Sequence, residues 1–273
     1  MFSIVLVTYN SSEVVADALR SIPPGHQVIV VDNASTDNSV EVCRSLGATV
    51  LEMRSNLGFG TACNRGADVA TAESILFLNP DARLQAGALS AMQQAMLQYP
   101  DSAAFNPRVL NEDGSQFLRR RTILLPRPYW VRPPAPSGDE EIITATGAAL
   151  IVRTSVFKEI NGFDENIFLY YEDDDISTRI IKKGYKIRYI HNSIVIHKIG
   201  KSTSGHENDR SAYFREYEAT KSRLYVSRKH GIRSHTKWQI FKSALKLKNA
   251  QMCGKTKLSS ALKAKIQALH DFG

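Results

Sequence analysis

Three short apolar runs, each closed by a cluster of polar residues, limit what this chain can fold into. They are Phe2 to Val7, Gln27 to Val31 and Ser74 to Leu78, and a further short strand is expected from Thr49 to Met53. Such runs, rich in Val, Ile and Leu, suit strands buried on both faces of a sheet. Helical patterning fills the gaps. One helix is expected from Ser11 or Ser12, as N-cap, to about Ile22, where Pro23, Pro24 and Gly25 break it. A second ends near Leu46, and a third runs from Thr61 to Thr71. Strand and helix alternate through the first half, which predicts βαβ units and a mostly parallel sheet flanked by helices. The polar clusters are Thr8, Tyr9 and Asn10; Asp32 and Asn33; and Asn79, Pro80 and Asp81. Ligands of open parallel sheets bind beyond the carboxyl ends of the strands, so these three ends are expected to share one crevice.

The second half is less regular. Residues 119–136 are rich in Arg and Pro, which predicts a loop or flap. Thr144 to Arg153 returns to small and β-branched residues. A helix from Thr154 to Ile160 stops at Asn161 and Gly162. The acidic run Glu172 to Asp175 heads another helix that ends at Gly184. Tyr185 to Tyr189 and Ser193 to His197 read as two strands. From about Arg210 the chain reads as helical and basic, with fifteen Lys or Arg against two Glu between Arg210 and Lys265.

No stretch approaches the roughly 18 apolar residues that span a bilayer. Met1 to Val7 enters a strand pattern with no basic leader or small-residue cleavage site, so a cytoplasmic protein is expected. The three cysteines, Cys43, Cys63 and Cys253, are too scattered for a disulfide framework or a metal cluster, and read as filling.

Two acidic centres could carry chemistry. Asp81 follows a buried strand behind Asn79 and Pro80. It could hold a divalent ion on a diphosphate, or simply close a turn. The carboxylates of Glu172 to Asp175 could complement the helix dipole. They also follow Phe168, Tyr170 and Tyr171, and a carboxylate set against apolar surface can serve as a general base. His197 ends a strand and is either structural or a further metal ligand. The loop from Asn56 to Gly60 matches neither a Walker motif nor a dinucleotide fingerprint, yet it could bring N–H groups near a pyrophosphate.

In order, these pieces resemble the family 2 glycosyltransferases. The residues that carry the likeness are Thr8 to Asn10, Asp32 to Asp37, Asn56 with Gly58 to Gly60 and Asn64, Leu78 to Ala82, Gly162 to Glu165, Tyr171 to Asp175, and His197. The likeness covers about residues 2–205 and is closest to a rhamnosyltransferase-like branch that extends bacterial surface polysaccharides on lipid carriers. It implies a GT-A fold, with a nucleotide-sugar half over about 1–100 and an acceptor half over about 101–205. Residues 206–273 would be a basic, mainly helical appendage.

Carried over position by position, Thr8, Tyr9, Asn10, Asp32, Asn33, Asn56, Gly58, Gly60 and Asn79 would form the donor site. Asp32 would bind the base of the nucleotide. Asp81 and His197 would hold Mg²⁺ or Mn²⁺. Asp173 would be the catalytic base and Glu172 would orient the acceptor, while Asp175 would support the helix. The implied reaction is a single inverting displacement from a dTDP- or UDP-linked sugar, with rhamnose leading. The implied acceptor is a glycan or a lipid diphosphate. The usual Asp-x-Asp is here Asn79, Pro80 and Asp81, and the Gln-x-x-Arg-Trp of processive synthases is absent.

Two other classes fit parts of the chain. A sugar nucleotidyltransferase shares a parallel sheet and metal carboxylates, but places a glycine-rich basic loop after the first strand. A nucleic-acid-binding protein would use the basic, aromatic-bearing tail and leave the acidic centres without a role. The reading adopted has no nucleic-acid partner. Its tail meets the anionic inner face of the cell membrane as a peripheral contact.

Overall fold

The computed structural model describes residues 1–118, 121–125, 136–198 and 209–273. Two compact units emerge: Met1–Glu165 with Glu172–Ser204, and Asn166–Tyr171 with Gly205–Gly273.

The first unit is built on a nine-stranded sheet. Its first strand, β1 (Ser3–Thr8), is buried along its whole length. It pairs in parallel with β2 (Gln27–Asp32) and with β4 (Ser74–Leu78), and β2 pairs in parallel with β3 (Thr49–Glu52). Between them run α1 (Val15–Arg20), α2 (Ser39–Ser45) and α3 (Phe59–Asp68). This is the βαβ half expected from the alternation.

Side chains alternate along each strand. Val5, Val7, Ile75 and Phe77 thus enter one core, with Ala62, Cys63 and Ala67 of α3. Ile4, Leu6, Leu76 and Leu78 enter the other, with Ala18 and Leu19 of α1 and Cys43 of α2. Gly66 lets α3 lie close on the sheet, because a Cβ there would collide with Val5 Cγ1.

Beyond β4 the sheet becomes mixed. The further elements are β5 (Ala82–Leu84), α4 (Ala88–Gln98), β6 (Ser102–Leu110), β7 (Glu140–Ile142) and β8 (Ala149–Arg153). They are followed by α5 (Thr154–Glu159), α6 (Glu172–Lys182) and β9 (Lys186–His197). The strand order is β3-β2-β1-β4-β8-β6-β9-β5, and β7 pairs with β9. β8 is antiparallel to β4 and β6, while β6 and β9 are parallel.

Several local expectations change. The two strands expected at 185–189 and 193–197 are one strand, β9. Its register against β6 jumps between Pro107, opposite Ile190, and Arg108, opposite Ile194. The polar residues His191, Asn192 and Ser193 occupy that bulge, and in sequence they imitate a turn. Neither Ser11 nor Ser12 caps α1. Ser11 N–H donates to Ser39 Oγ and Ser12 N–H to Asp37 Oδ2, so both residues tie the β1 end to the start of α2. Of the expected loop at 119–136, residues 119–120 and 126–135 lie outside the described residues. Thr122, Leu124 and Leu125 within it are buried.

The second unit contains α7 (Asp209–Lys229), α8 (Thr236–Met252) and α9 (Thr256–Phe272). Leu224, Val226, Leu262, Ala264, Ala268 and Leu269 are buried in it. Ser222 Oγ donates to Leu169 O at 2.8 Å, and the Phe168 and Phe214 rings meet edge to face. No helix among the described residues is long and apolar enough to cross a membrane.

Candidate active site

Sheet order brings the polar strand ends together. Thr8 lies opposite Asp32 in the β1–β2 ladder, Leu6 opposite Leu78 in β1–β4, and Leu78 opposite Ala149 in β4–β8. The loops leaving β1, β2 and β4 therefore emerge side by side with the loop that enters β8.

At the β1–β2 end, Asp32 is buried and fully engaged at one oxygen. Thr8 Oγ1 donates to Asp32 Oδ1 at 3.0 Å and Ser35 Oγ to the same atom at 2.5 Å, while Ser35 N–H donates to Oδ2. Asn33 bridges to the glycine-rich loop: its amide donates to Gly58 O, and its carbonyl accepts from Leu57 N–H. Asn56 Oδ1 accepts from Gly58 N–H at 3.0 Å. Asn10 takes a left-handed backbone (φ 53°), donates from its N–H to Ser35, and accepts from Thr36 N–H. Tyr9 is exposed. Gly60 is packed under Phe163, whose Cβ would lie 3.0 Å from an added Cβ.

Asp81 and His197 are 116 residues apart in sequence and in contact in space. The antiparallel β5–β9 ladder sets Ala82 opposite His197, and Lys198 N–H donates to Asp81 O at 2.9 Å. His197 Nε2 then lies 3.1 Å from Asp81 Oδ1, with both side chains buried. With its proton on Nε2 the ring donates to Asp81, and with its proton on Nδ1 it presents the Nε2 lone pair beside the carboxylate. Asp81 Oδ2 is buried with no hydrogen-bond partner among the described residues. An orphaned carboxylate oxygen beside an imidazole nitrogen fits a hard or borderline cation. Among the described residues no group of three or more such side chains could hold a metal, so ligand oxygens would have to complete the shell. Asn79 N–H donates to Ala148 O, fixing the turn that carries Asp81.

That same contact leads to the second acidic centre. Gly147, next to Ala148, donates its N–H to Asp173 Oδ2 at 3.3 Å, and Asp174 N–H donates to Asp173 Oδ1. The loop before β8 is further pinned by Asn106, which holds Thr146 N–H, Thr146 O and Ala149 O, and by Ser177, which accepts from Ala145 N–H. Sequence reasoning passed over Asn106, Gly147 and Ser177. The small-residue run at Thr144 to Ala149 was a signal for Gly147 alone.

The carboxylates of α6 are not equivalent. Asp173 and Asp174 are buried. Asp175 has no exposed side-chain surface and pairs with Arg179 at 2.7 Å, and Arg179 also donates to Ile160 O. Burial, reinforced by the Glu172 carboxylate, pushes the Cys63 thiol well up. Burial with Asp32 and Asp37 nearby pushes Cys43 up to about 12. Both thiols therefore stay protonated and act as core filling, whereas Cys253 is exposed. Immediately before α6, Tyr170 and Tyr171 both adopt left-handed backbone (φ 67° and 66°), a strain of about 1–3 kcal/mol each.

Asn64 and the segment from Gly162 to Glu165 clasp one another. Asn64 Nδ2 donates to Phe163 O, Phe163 N–H donates to Asn64 Oδ1 at 2.9 Å, and Arg65 makes two bonds to Glu165. Gly162 must be glycine here, at φ 62° with Asn64 Oδ1 2.5 Å from an added Cβ. Asn64→Ala leaves both backbone groups of Phe163 unpaired. It is expected to lower unfolding free energy by about 1–3 kcal/mol, as read by urea denaturation.

The profile described as "Glycosyl transferase family 2" matches residues 3–160, and that of the "N-terminal domain of galactosyltransferase" matches residues 136–204. An N-acetylglucosaminyl-diphospho-decaprenol L-rhamnosyltransferase of Mycobacterium tuberculosis is 28% identical over 236 residues, 73% of this chain and 76% of the relative. A low-salt glycan biosynthesis hexosyltransferase of Haloferax volcanii is 25% identical, over 68% of this chain and 63% of its own length.

Among solved structures, a mannosyltransferase of Pyrobaculum calidifontis, in complex with GDP-Man and Mn²⁺, superposes with TM-score 0.62 at 15% identity, covering 100% of this chain and 88% of its own. Staphylococcus aureus TarS 1-349 with UDP-GlcNAc gives 0.56 at 19% identity, over 80% of this chain and 65% of its own. At these identities the superpositions establish the fold, which is GT-A. The family profile spans more than half of the sequence, and the chain belongs to glycosyl transferase family 2.

Proposed function

We propose that the chain is an inverting, metal-assisted glycosyltransferase that moves a sugar, with rhamnose the first candidate, from a nucleoside diphosphate to a lipid-linked or growing glycan. The observation that carries this reading is the Asp81–His197 pair. It sets a carboxylate with an orphaned oxygen against an imidazole nitrogen beside the Thr8–Asp32 strand ends, at the end of the sheet where Gly147 also supports Asp173. In this reading 1–100 bind the donor and 101–205 the acceptor. Residues 206–273 form a separate basic appendage.

The donor's base lies toward Asp32 and Asn33, with Thr8, Tyr9, Asn10, Asn56, Gly58, Gly60 and Asn79 around the nucleotide sugar. Asp81 and His197 hold Mg²⁺ or Mn²⁺. Such an ion neutralises charge that develops on the departing diphosphate. Asp173 accepts the proton of the acceptor hydroxyl as that oxygen attacks the anomeric carbon, and Glu172 orients the acceptor. The rhamnosyltransferase relative named for a decaprenol-linked substrate supports a lipid diphosphate acceptor. The Mn²⁺ and sugar nucleotides of the GT-A neighbours support the ion and the donor class. A protein at the inner face of the membrane follows from that acceptor.

A panel of dTDP-, UDP- and GDP-sugars, assayed with and without Mn²⁺ or Mg²⁺, tests this. Release of nucleoside diphosphate with inversion is expected, whereas release of pyrophosphate would point to nucleotidyl transfer. Asp81→Ala is expected to lower the metal-dependent rate about 10²-fold or more and to abolish its saturation with Mn²⁺. Unchanged metal dependence would misplace the metal site.

A further inference from the structure

The C-terminal unit carries a surface that neither its own packing nor the proposed transfer uses. Helix α8 is buried through Ser243 and Ala250, seven residues apart on one side. With about 3.6 residues per turn, Trp238, Phe241, Leu245 and Met252 fall on the opposite side within an arc of about 60°. All four face solvent, at 60%, 62%, 57% and 79% exposure. Lys237 and Lys248 border the stripe on one flank, and Lys242 and Lys246 on the other; all four are exposed. Lys242 Nζ sits 4.7 Å from the Trp238 ring centroid. The helix carries no acidic residue. A helix in a small bundle ordinarily turns its large apolar residues inward. Four turned outward together mark a contact surface.

We propose that α8 is an interfacial membrane helix, lying in the headgroup region of an anionic bilayer. The Trp238–Phe241–Leu245–Met252 stripe enters the acyl boundary, and the flanking lysines pair with lipid phosphates. The charge pattern selects this occupant. Lysines on both flanks complement a negative surface, and their aliphatic stems reach past the buried stripe to the headgroups. Tryptophan favours that depth. A second copy packed on the same stripe would set lysine rim against lysine rim, with no carboxylate on α8 to pair them. A single-stranded nucleic acid would gain stacking from Trp238 and Phe241 but nothing from Leu245 and Met252. The surface goes beyond the donor and acceptor assigned above, and its occupancy is read without any transfer activity.

The test uses the full chain with vesicles of phosphatidylcholine alone or mixed with phosphatidylglycerol. Co-sedimentation with the mixed vesicles only is expected, weakening with added salt. In a Trp130→Phe background, Trp238 is the sole tryptophan, and its emission is expected to shift to the blue on those vesicles. Trp238→Ser with Phe241→Ser, and separately Lys242→Glu with Lys246→Glu, are each expected to lower the partition constant about tenfold or more. Helicity and melting should hold, because these side chains point into solvent. Four results would overturn the proposal. They are absent binding, equal binding to neutral and anionic vesicles, wild-type sedimentation of either double variant, or a dimer dispersed by the Trp238 and Phe241 changes.

Discussion

Asp173→Asn is expected to lower sugar transfer by about 10²–10⁴-fold, the range associated with a positioned general base. The change keeps the shape of the side chain and removes the ability to take a proton. Two of its contacts feel the exchange. Asp173 accepts from Gly147 N–H and from Asp174 N–H, and an amide can satisfy only one of these as acceptor. About 1 kcal/mol of stability goes with the other, which circular dichroism would register as a melting shift of a few degrees. Rate and melting together separate the two roles. A large loss of rate with a small melting shift assigns Asp173 to the chemistry. Full transfer activity in the variant would end its assignment as the base.

The second large effect falls on stability. Asp175→Ala should cost about 3–5 kcal/mol, the range found when one partner is removed from a buried ion pair. Asp175 is wholly inside, and Arg179 stays largely inside, donating from Nη1 to Ile160 O. Without the carboxylate, its charge has no countercharge at that place. Urea denaturation measures the loss directly. Asp175→Leu combined with Arg179→Met should recover part of it, since two apolar side chains need no pairing but Leu is bulkier than Asp at a site with no free surface. A cost below about 1 kcal/mol for the single change would mean that solvent reaches the pair.

These two neighbours on α6 show how far the sequence could be read. Four consecutive carboxylates at a helix start were plain to see, but only packing tells them apart. Asp173 reaches the loop before β8, and Asp175 points into the core beside Arg179. Cys63, which composition alone would leave as filler, proves to lie within electrostatic reach of Glu172. Asn64 and Phe163, 99 residues apart, were parts of a recognised series. Their mutual clasp is a matter of tertiary structure.

By itself the sequence determined the parallel half of the sheet. β1, β2 and β4 are nearly continuous apolar runs, and their ends are marked by Thr8, Asp32 and Asn79 to Asp81. The order of the motifs was enough to indicate the family. It could not supply β5 and β6, because a three-residue strand has no measurable period and β6 carries Asn106 and Pro107 in its middle. Nor could it join the halves of β9 across the polar bulge at His191 to Ser193. The partnership of Asp81 with His197 depends on both of those strands, since β5 pairs with β9 and sets Ala82 opposite His197. Local patterning fixes which residues enter a strand, whereas long-range pairing fixes which strand ends meet. At this protein's candidate site, the meeting of strand ends decides which side chains stand together.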